Sequence, residues 1–265
     1  MTKTRTVIHG AGGRMGRRLI ALGSVDDGIQ VVAALEHAGF TEMGRDAGLA
    51  AGVVELGVPF SGSLNVEADA VIDFSVPEAC EHILQMCVAR KIPLVVATTG
   101  LKEEHKAQLH AASKEIPIVW SPSMSLAVNL TMKLCATAGA ALKNLSSGVD
   151  VEIVERHHRY KEDAPSGTAL KFGEIIAGVM GQEGSAHGRH GQTGKRPRNE
   201  IGYHAVRVGD NPGEHTIIFG MLGETIELNV KASNRDCYAL GALAAAKFIA
   251  KQPPGLYSMY DVLGL

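Results

Sequence analysis

The sequence predicts an α/β protein in two parts, a parallel sheet covered by helices and a second, α+β part built on a mixed sheet. In the first half, short β-rich apolar segments alternate with helical patterns. Such nearly continuous apolar strands are typical of a parallel sheet that is covered on both faces. In the second half, three strand patterns follow one another, and the last alternates polar and apolar residues. That alternation predicts a sheet with one polar face.

Five segments of the first half carry the strand pattern, at residues 5–9, 29–36, 69–75, 93–98 and 117–121. Helical patterns lie between several of them. Pro77 suits the first position of a helix over 77–91, whose apolar residues share one face. Residues 102–115 begin with acidic side chains and carry a lysine late, the order that the helix dipole favours.

The second half begins with a helix over 126–142 and a strand over 149–158. A further helix is predicted over 168–180, and the segment from about 181 to 199, rich in Gly, His and Arg, is predicted to be a loop. Three strands are predicted over 201–209, 214–221 and 224–233. A last helix over 237–251 ends before Pro253 and Pro254, as helices tend to.

The composition excludes several classes of protein. The formal net charge of −2 favours neither nucleic acid nor an anionic membrane as a partner. No segment approaches the roughly 18 apolar residues of a membrane span, and the N-terminus does not resemble a signal peptide. None of the four cysteines forms a C-x-x-C pair, which favours reduced, packed thiols and a cytoplasmic protein. No acidic or cysteine pattern completes a metal set with His187 and His190, so no metal is expected.

A glycine-rich turn follows the first predicted strand directly and leads into a helix. Its residues are Gly10, Ala11, Gly12, Gly13, Arg14, Met15 and Gly16. Glycines let a backbone approach a pyrophosphate, and the helix that follows supplies free N–H groups and a partial positive charge. The spacing is related to the dinucleotide fingerprint without matching it, so a Rossmann-like domain is predicted. The alternative is a tight turn that only packs the helix on the strand.

The second predicted strand ends at Glu36, about twenty residues after the last glycine of the turn, where an acid can hold the adenosine ribose. A carboxylate there repels a 2′-phosphate and favours NADH. His37 is only partly charged near neutral pH, whereas Arg14 is always charged and could reach a 2′-phosphate. We expect NADH to serve as cofactor and NADPH to be tolerated.

Two other segments follow predicted parallel strands, on the side of the sheet where cofactors usually bind. Both carry small hydroxyl residues that could present backbone groups to a nicotinamide. They are Ala97, Thr98 and Thr99, and then Pro122, Ser123, Met124 and Ser125. The alternative for both segments is an ordinary strand-to-helix capping turn.

The most reactive segment of the sequence is HHRYKEDAPSGTAL, residues 157–170. Ser166 or Thr168 can cap the helix that follows, and the free N–H groups of its first turn form an anion site. His157 can exchange a proton near neutral pH, and Lys161 is a proton donor there. An anion site beside proton donors suits the reduction of a small carboxylated C=C or C=N compound. The alternative is a solvated basic loop.

These segments resemble the 4-hydroxy-tetrahydrodipicolinate reductase (dihydrodipicolinate reductase) family of lysine and diaminopimelate synthesis. The likeness rests on GAGGRMG, VIDFS-x-PEA, TTG, ERHHRYKEDAPSGTAL, GYHAVRVGDNPGEHTIIF and ASNRDCYALGAL. It implies that His157 is the acid/base group and Lys161 the proton donor. It also implies that the substrate carboxylates are held by His158, Ser166, Gly167 and Thr168.

The resemblance further implies that residues 10–15 wrap the pyrophosphate, that Glu36 holds the ribose, and that 97–99 and 122–125 border the nicotinamide. Residues 1–128, completed by 238–265, would form the dinucleotide-binding domain. Residues 129–237 would form the substrate-binding and oligomerisation domain of a homotetramer.

Two other functions stay open on the residues alone. One is a different two-domain dehydrogenase that acts on an amino-acid-derived substrate, and the other is a regulatory protein that senses a nucleotide. The pair His157 and Lys161 before Ser-Gly-Thr favours an enzyme, because a sensor has no need of proton donors.

Overall fold

The computed structural model describes residues 2–265, which divide into two compact units. Unit 1 contains the residues up to Leu126 together with Asp236–Leu265, and unit 2 contains Ala127–Arg235. The chain thus passes through unit 2 and returns to unit 1. The divisions lie two residues before the domain boundaries that the sequence predicts, at 128 and 237.

Twelve strands and eight helices form within the described residues. The strands are β1 Thr4–His9, β2 Ile29–Leu35, β3 Phe60–Ser61, β4 Ala70–Asp73, β5 Leu94–Val96, β6 Pro117–Trp120, β7 Asp150–His157, β8 Gly184–His187, β9 Glu200–Arg207, β10 Glu214–Met221, β11 Glu224–Lys231 and β12 Gly255–Tyr257. The helices are α1 Arg14–Gly23, α2 Ala47–Ala50, α3 Pro77–Arg90, α4 Glu103–Ala112, α5 Leu126–Leu142, α6 Gly167–Met180, α7 Asp236–Ile249 and α8 Met259–Leu263.

Unit 1 is built on a seven-stranded parallel sheet with the order β12-β6-β5-β4-β1-β2-β3. Its central strands are buried from both sides, and Ile8, Ile72 and Val95 have no exposed surface. The returning helix α7 packs against α1, β4 and β5. These strands are apolar at nearly every position because both faces of the sheet are covered. The parallel sheet that the sequence predicts is therefore confirmed.

The strand order reverses between β1 and β4. From β1 the chain adds β2 and β3 on one side, and β4, β5 and β6 then build outward on the other. In open α/β sheets, ligands bind in the crevice beyond the carboxyl ends of the two strands at such a switch point. His9 and Asp73 are the last residues of β1 and β4, and they are register partners.

Unit 2 contains the predicted mixed sheet, with the order β11-β10-β7-β9-β8. β7 pairs with β10 in antiparallel fashion and with β9 in parallel fashion. Helix α6 packs on β7 and β9 and buries Phe172 and Ile176. Because side chains alternate along a strand, Val151, Ile153, Glu155 and His157 of β7 share the buried face of the sheet.

One segment differs from its prediction. Residues 184–187, predicted to lie in a loop, form β8, which pairs with β9 in parallel fashion at the edge of the sheet. The sequence Gly-Ser-Ala-His has neither an apolar alternation nor β-branched residues, and its side chains are half exposed or exposed. Only pairing with β9 makes this segment a strand, so local patterning carries no signal for it.

The rest of the segment 181–199 is held by carboxylates of the sheet, and Glu152 on its more exposed face binds both Arg189 and Arg196, which also pair with Glu200 and Asp150. Glu152 accepts hydrogen bonds from Arg189 at 2.8 and 3.0 Å and from Arg196 at 2.8 Å, and His204 Nε2 lies 2.7 Å from it. Arg196 also donates to the carbonyl of Val151 at 2.9 Å. Burial opposes ionisation of Glu152, but these partners hold its pKa at about 2.

We predict that Glu152→Gln releases this segment and lowers the free energy of unfolding by about 1–3 kcal/mol, because two guanidinium groups lose a charged partner. Trypsin should then cleave after Arg189, Lys195 or Arg198 faster than in the parent protein. Glu227→Gln, an exposed position on β11, is the matched control and should leave the cleavage rate unchanged.

The pH dependence of stability follows from the lowered pKa of Glu152. Since the folded-state pKa lies below the ordinary value of 4.5, the Glu152 network stabilises the fold above that value and is lost as the pH falls toward about 2. Thermal melts in this acid range should therefore separate the parent protein from Glu152→Gln less than melts at neutral pH. An equal or larger separation in acid would contradict the assignment.

Candidate active site

The glycine-rich turn of unit 1 leaves no room for side chains. Gly10 has φ +72°, and a Cβ added to it would lie 2.6 Å from the carbonyl oxygen of Phe74. A Cβ at Gly12 would overlap the ring of Phe40, and one at Gly16 would overlap the backbone of the turn itself. Helix α1 then begins at Arg14 with Gly13 as its N-cap, and no side chain caps the helix. The first N–H groups of α1 therefore remain available to an anion.

The side chain of Glu36, which directly follows β2, contacts the glycine-rich turn. One carboxylate oxygen accepts from the backbone N–H of Gly12 at 2.8 Å, and the other accepts from that of His37 at 3.2 Å. The side chain thus stands beside the glycines, as a ribose-binding acid of a dinucleotide site does.

A cleft of about 630 Å³ opens beside the turn, within the range of ligand sites. It is lined by His9, Gly10, Gly13, Glu36, His37, Ala38, Gly62, Phe74, Ser75, Val76, Ala79 and His82. The cleft reaches from Glu36 to the carboxyl ends of β1 and β4. The predicted pyrophosphate turn and the predicted ribose acid thus share one cavity at the switch point of the sheet.

The segment 97–99 follows β5, and its side chains differ in what they face. Ala97 is buried, and its N–H donates to the carbonyl of Asp73 at 2.9 Å. Thr98 is buried too, and its hydroxyl donates to the carboxylate of Asp73 at 2.7 Å. Only Thr99 is exposed. Thr98 therefore supports a buried acid with its side chain.

The segment 122–125 follows β6 as a turn held by its own serines. The hydroxyl of Ser121 donates to the carbonyl of Ser123 at 3.0 Å, and the N–H of Ser125 donates to the Ser123 hydroxyl at 3.3 Å. Met124 is buried in the core of unit 1, whereas Pro122 is exposed. The surface of this segment that a ligand could touch is formed by Pro122 and Ser123.

In unit 2, the end of β7 carries a buried pair of side chains. His157 Nδ1 lies 2.6 Å from Glu155, which is 1% exposed. Arg207 donates to both oxygens of Glu155 at 2.8 Å, and the N–H of Ser166 donates to it at 3.0 Å. Every side of the carboxylate is thus occupied, and His157 is fixed in its tautomer with a proton on Nδ1.

Burial lowers the pKa of His157, although the Glu155 carboxylate opposes the shift, and Lys161 and Arg207 add to it. The imidazole is therefore neutral at neutral pH, with the Nε2 lone pair available. Nε2 points toward Gly213, where an added Cβ would lie 2.9 Å away. A side chain at position 213 would block the free edge of the ring.

A second buried histidine supports this arrangement. The ring of His215 packs edge-on against that of His157 with centroids 5.3 Å apart, and burial lowers its pKa to about 4. Its Nε2 lies 3.1 Å from the hydroxyl of Ser166. That hydroxyl is also the N-cap of α6, since it accepts from the N–H of Ala169 at 3.2 Å. The cap of α6 is thereby tied to β10.

The side chains of Glu155, His157, Ser166, Arg207 and His215 form one corner of unit 2. The remaining residues predicted for this site lie close to that corner. Lys161 is paired with Asp163 at 2.8 Å, and its side chain is 21% exposed. His158 has a buried Nδ1 without a hydrogen-bond partner among the described residues. Gly167 and Thr168 form the first turn of α6, where backbone N–H groups are free of helical partners.

Sequence reasoning missed three residues of this corner, namely Glu155, Arg207 and His215. A signal existed for Glu155, because it lies two residues before His157 and so on the same face of a strand. An acid on the buried face of a strand requires a partner. No local signal identified Arg207 or His215, which reach the corner from β9 and β10.

No group of three or more His, Cys, Asp or Glu side chains within residues 2–265 has a geometry that could hold a metal ion. Across the same residues, every helix is too short or too polar to cross a membrane.

The chain matches two family models that together cover most of its length. Residues 4–124 match the dihydrodipicolinate reductase N-terminus, and residues 127–263 match the dihydrodipicolinate reductase C-terminus. A 4-hydroxy-tetrahydrodipicolinate reductase from Rhodopirellula baltica is 60% identical, over 97% of this chain and 95% of that protein. One from Alkalilimnicola ehrlichii is 46% identical, over 99% of both chains.

Solved structures share the fold. A dipicolinate-bound dihydrodipicolinate reductase from Paenisporosarcina sp. TG-14 aligns with a TM-score of 0.78 at 24% identity, over 98% of this chain and 99% of that one. An amine dehydrogenase from Mycobacterium smegmatis aligns with a TM-score of 0.63 at 14% identity, over 97% and 95%. Both family models and both relatives agree over nearly the whole sequence, and the chain belongs to the dihydrodipicolinate reductase family.

Proposed function

We propose that this chain is an NAD(P)H-dependent reductase that converts 4-hydroxy-tetrahydrodipicolinate to tetrahydrodipicolinate in lysine and diaminopimelate synthesis. The observation that carries the proposal is the corner of unit 2, where His157, held by the buried Glu155, adjoins Lys161 and the first turn of α6. The 60% identity to a 4-hydroxy-tetrahydrodipicolinate reductase supports this substrate over another one derived from an amino acid.

The cofactor site fits a dinucleotide on the geometry of unit 1. Side chains at Gly10 and Gly12 would fill the space beside the turn, and the first N–H groups of α1 suit the pyrophosphate. Residues 10–15 would hold the pyrophosphate and Glu36 the adenosine ribose. The segments 97–99 and 122–125 would border the nicotinamide, with Thr99, Pro122 and Ser123 as the accessible members. When bound, the reduced nicotinamide supplies a hydride.

The substrate is a dicarboxylate, and the first turn of α6 supplies donors for one of its carboxylates. The hydroxyl of Ser166 is engaged by Ala169 and His215, so Ser166 acts mainly by fixing the helix start. Recognition then falls to the backbone N–H groups of Gly167 and Thr168. The unpartnered Nδ1 of His158 is a further polar group for a carboxylate, as a donor in the protonated ring.

The proton comes from Lys161. Replacing the 4-hydroxyl of the substrate by hydrogen consumes one hydride and one proton and releases one water. The ammonium of Lys161 donates the proton to the substrate, and Asp163 holds that ammonium at 2.8 Å until then. The neutral His157 is the acid/base group beside it, with Nδ1 anchored on Glu155 and Nε2 free to exchange a proton.

Lys161→Ala should lower kcat by about 10²- to 10⁴-fold, the usual contribution of a positioned proton donor. The KM for NADH should change little, because Lys161 lies outside the dinucleotide site. The assay follows NADH absorbance with the dihydrodipicolinate synthase product as substrate. Lys171→Ala, at a half-exposed position on α6, is the matched control and should retain full turnover.

Two outcomes of this assay separate the mechanism from the function. Unchanged turnover in both His157→Ala and Lys161→Ala would refute the proton-transfer roles and leave the reductase activity standing. No oxidation of NADH by the parent protein with this substrate would refute the activity itself and favour a nucleotide sensor.

Glu155→Gln should lower kcat by about tenfold or more, since His157 loses its anchor and Arg207 loses its carboxylate. The carboxylate of Glu155 raises the pKa of His157 against burial, so its removal should move the His157 inflection in the pH profile of kcat/KM to lower pH. A merely structural role would lower activity at every pH without moving the inflection. Glu227→Gln is the control.

Glu36→Gln should raise kcat/KM for NADPH relative to NADH, because a carboxylate beside the ribose repels a 2′-phosphate. The parent protein should use NADH at least as well as NADPH. The two Michaelis constants, measured on both proteins, decide the matter, and a strong preference of the parent protein for NADPH would contradict the role of Glu36.

A further inference from the structure

A second imidazole–carboxylate pair lies in unit 1, beside the glycine turn. His9 Nδ1 lies 2.7 Å from a carboxylate oxygen of Asp73, and the two residues end β1 and β4 at the switch point of the sheet. Asp73 has no exposed surface, whereas the side chain of His9 is 15% exposed and lines the cleft. The carboxylate is therefore inside the protein, and the imidazole stands between it and the cleft.

Of the side chains that hydrogen-bond to Asp73, His9 can carry a positive charge that compensates the carboxylate. Besides His9, the carboxylate accepts hydrogen bonds from the hydroxyls of Ser75 at 2.6 Å and Thr98 at 2.7 Å. Burial by itself raises the pKa of Asp73, but His9 and the two hydroxyls lower it below the ordinary value, so the group is ionised. Within residues 2–265, no Lys or Arg is among the hydrogen-bond partners of Asp73. A buried carboxylate favours a positive charge on the partner that can carry one, and here that partner is His9.

We propose that His9 is a further binding residue for the dinucleotide, an imidazolium that presents Nε2–H to the pyrophosphate. The bond to Asp73 fixes the Nδ1 proton, so Nε2 is the edge left for the cleft, next to Gly10 and Gly13. A charged ring donates from Nε2 and suits phosphate oxygens, whereas a neutral ring could only accept there. This role rests on the proposed function, since a dinucleotide must bind for His9 to meet it.

The pH dependence of binding follows from the charge of the ring. Affinity for NADH should be higher at low pH and should fall as the pH rises, because loss of the ring's positive charge removes the Nε2–H donor. The other titratable groups near His9 are Cys80, whose thiol hydrogen-bonds to Asp73, and three residues that line the cleft, His82, Glu36 and His37. Burial raises the pKa of the Cys80 thiol, so this group stays neutral. His82 and His37 also line the cleft, so a variant of His9 is needed to separate its contribution from theirs.

His9→Asn is the variant that isolates Nε2. The amide N–H of asparagine can replace the Nδ1 donor to Asp73, so the buried carboxylate keeps a partner while the Nε2 donor and the charge are lost. The measurement is the dissociation constant of NADH, without substrate, by nucleotide fluorescence at several pH values from about pH 6 to pH 8.5. His110→Gln, an exposed histidine on α4 outside the cleft, is the matched control.

The expected result is a dissociation constant about 10- to 150-fold higher for His9→Asn at about pH 6, the size of one charge-assisted hydrogen bond. The difference should shrink as the pH rises, and the control should follow the parent protein. Equal affinities at all pH values, or a difference that grows with pH, would overturn the proposal for His9. If the parent protein binds no NADH at any pH, the proposed function fails instead. Thermal melts of His9→Asn check that Asp73 is still paired.

Discussion

The reactive corner of unit 2 depends on the buried carboxylate of Glu155. With 1% exposure, it would cost several kcal/mol in a folded protein if its oxygens were unpaired. Its partners come from three places, Arg207 at the end of β9, His157 at the end of β7 and the N–H of Ser166 before α6. All three must converge for the charge to be tolerated. The same group therefore orients the imidazole and sets the position of the helix start.

Unit 1 contains the same arrangement with a different balance of charge. Asp73 ends a central strand as Glu155 nearly does, and it too turns an imidazole away from itself. In unit 2 the guanidinium of Arg207 compensates the carboxylate, so His157 can remain neutral, and burial lowers its pKa. Asp73 has two hydroxyls in place of a guanidinium. Two similar pairs thus fit the two different roles proposed above, proton exchange for His157 and anion binding for His9.

Most of the fold could be predicted from the sequence because its signals are local. The central strands of unit 1 are apolar throughout, and the glycine turn and Pro77 mark helix starts within a few residues. β8 could not be predicted, since Gly-Ser-Ala-His becomes a strand only through pairing with β9. The short strands β3 and β12 were missed for a related reason, as two or three residues carry no measurable period.

The residues of the candidate site likewise divide into those that the sequence predicts and those that it does not. His157, Lys161 and Ser166 lie within ten positions, so the segment itself predicted them. Arg207 and His215 are about fifty residues away, and only the sheet order β10-β7-β9 brings them to Glu155 and His157. His9 belongs to the same class, because its meaning depends on a register pair with Asp73, 64 positions away. Long-range pairs of polar residues are thus the part of a site that a single sequence conceals.

The backbone at Gly167 is consistent with the substrate-binding role proposed for the start of α6. Glycine inside a helix is less favourable than alanine by about 1 kcal/mol. A glycine in such a position usually has a positive φ or a neighbouring atom too close for a Cβ. Gly167 meets neither condition, since its φ is not positive and an added Cβ would have no atom within 4 Å. The residue is exposed at the first turn of α6, beside the free N–H groups. The fold therefore does not require glycine at this position, whereas the proposed approach of a substrate carboxylate to those N–H groups would favour it.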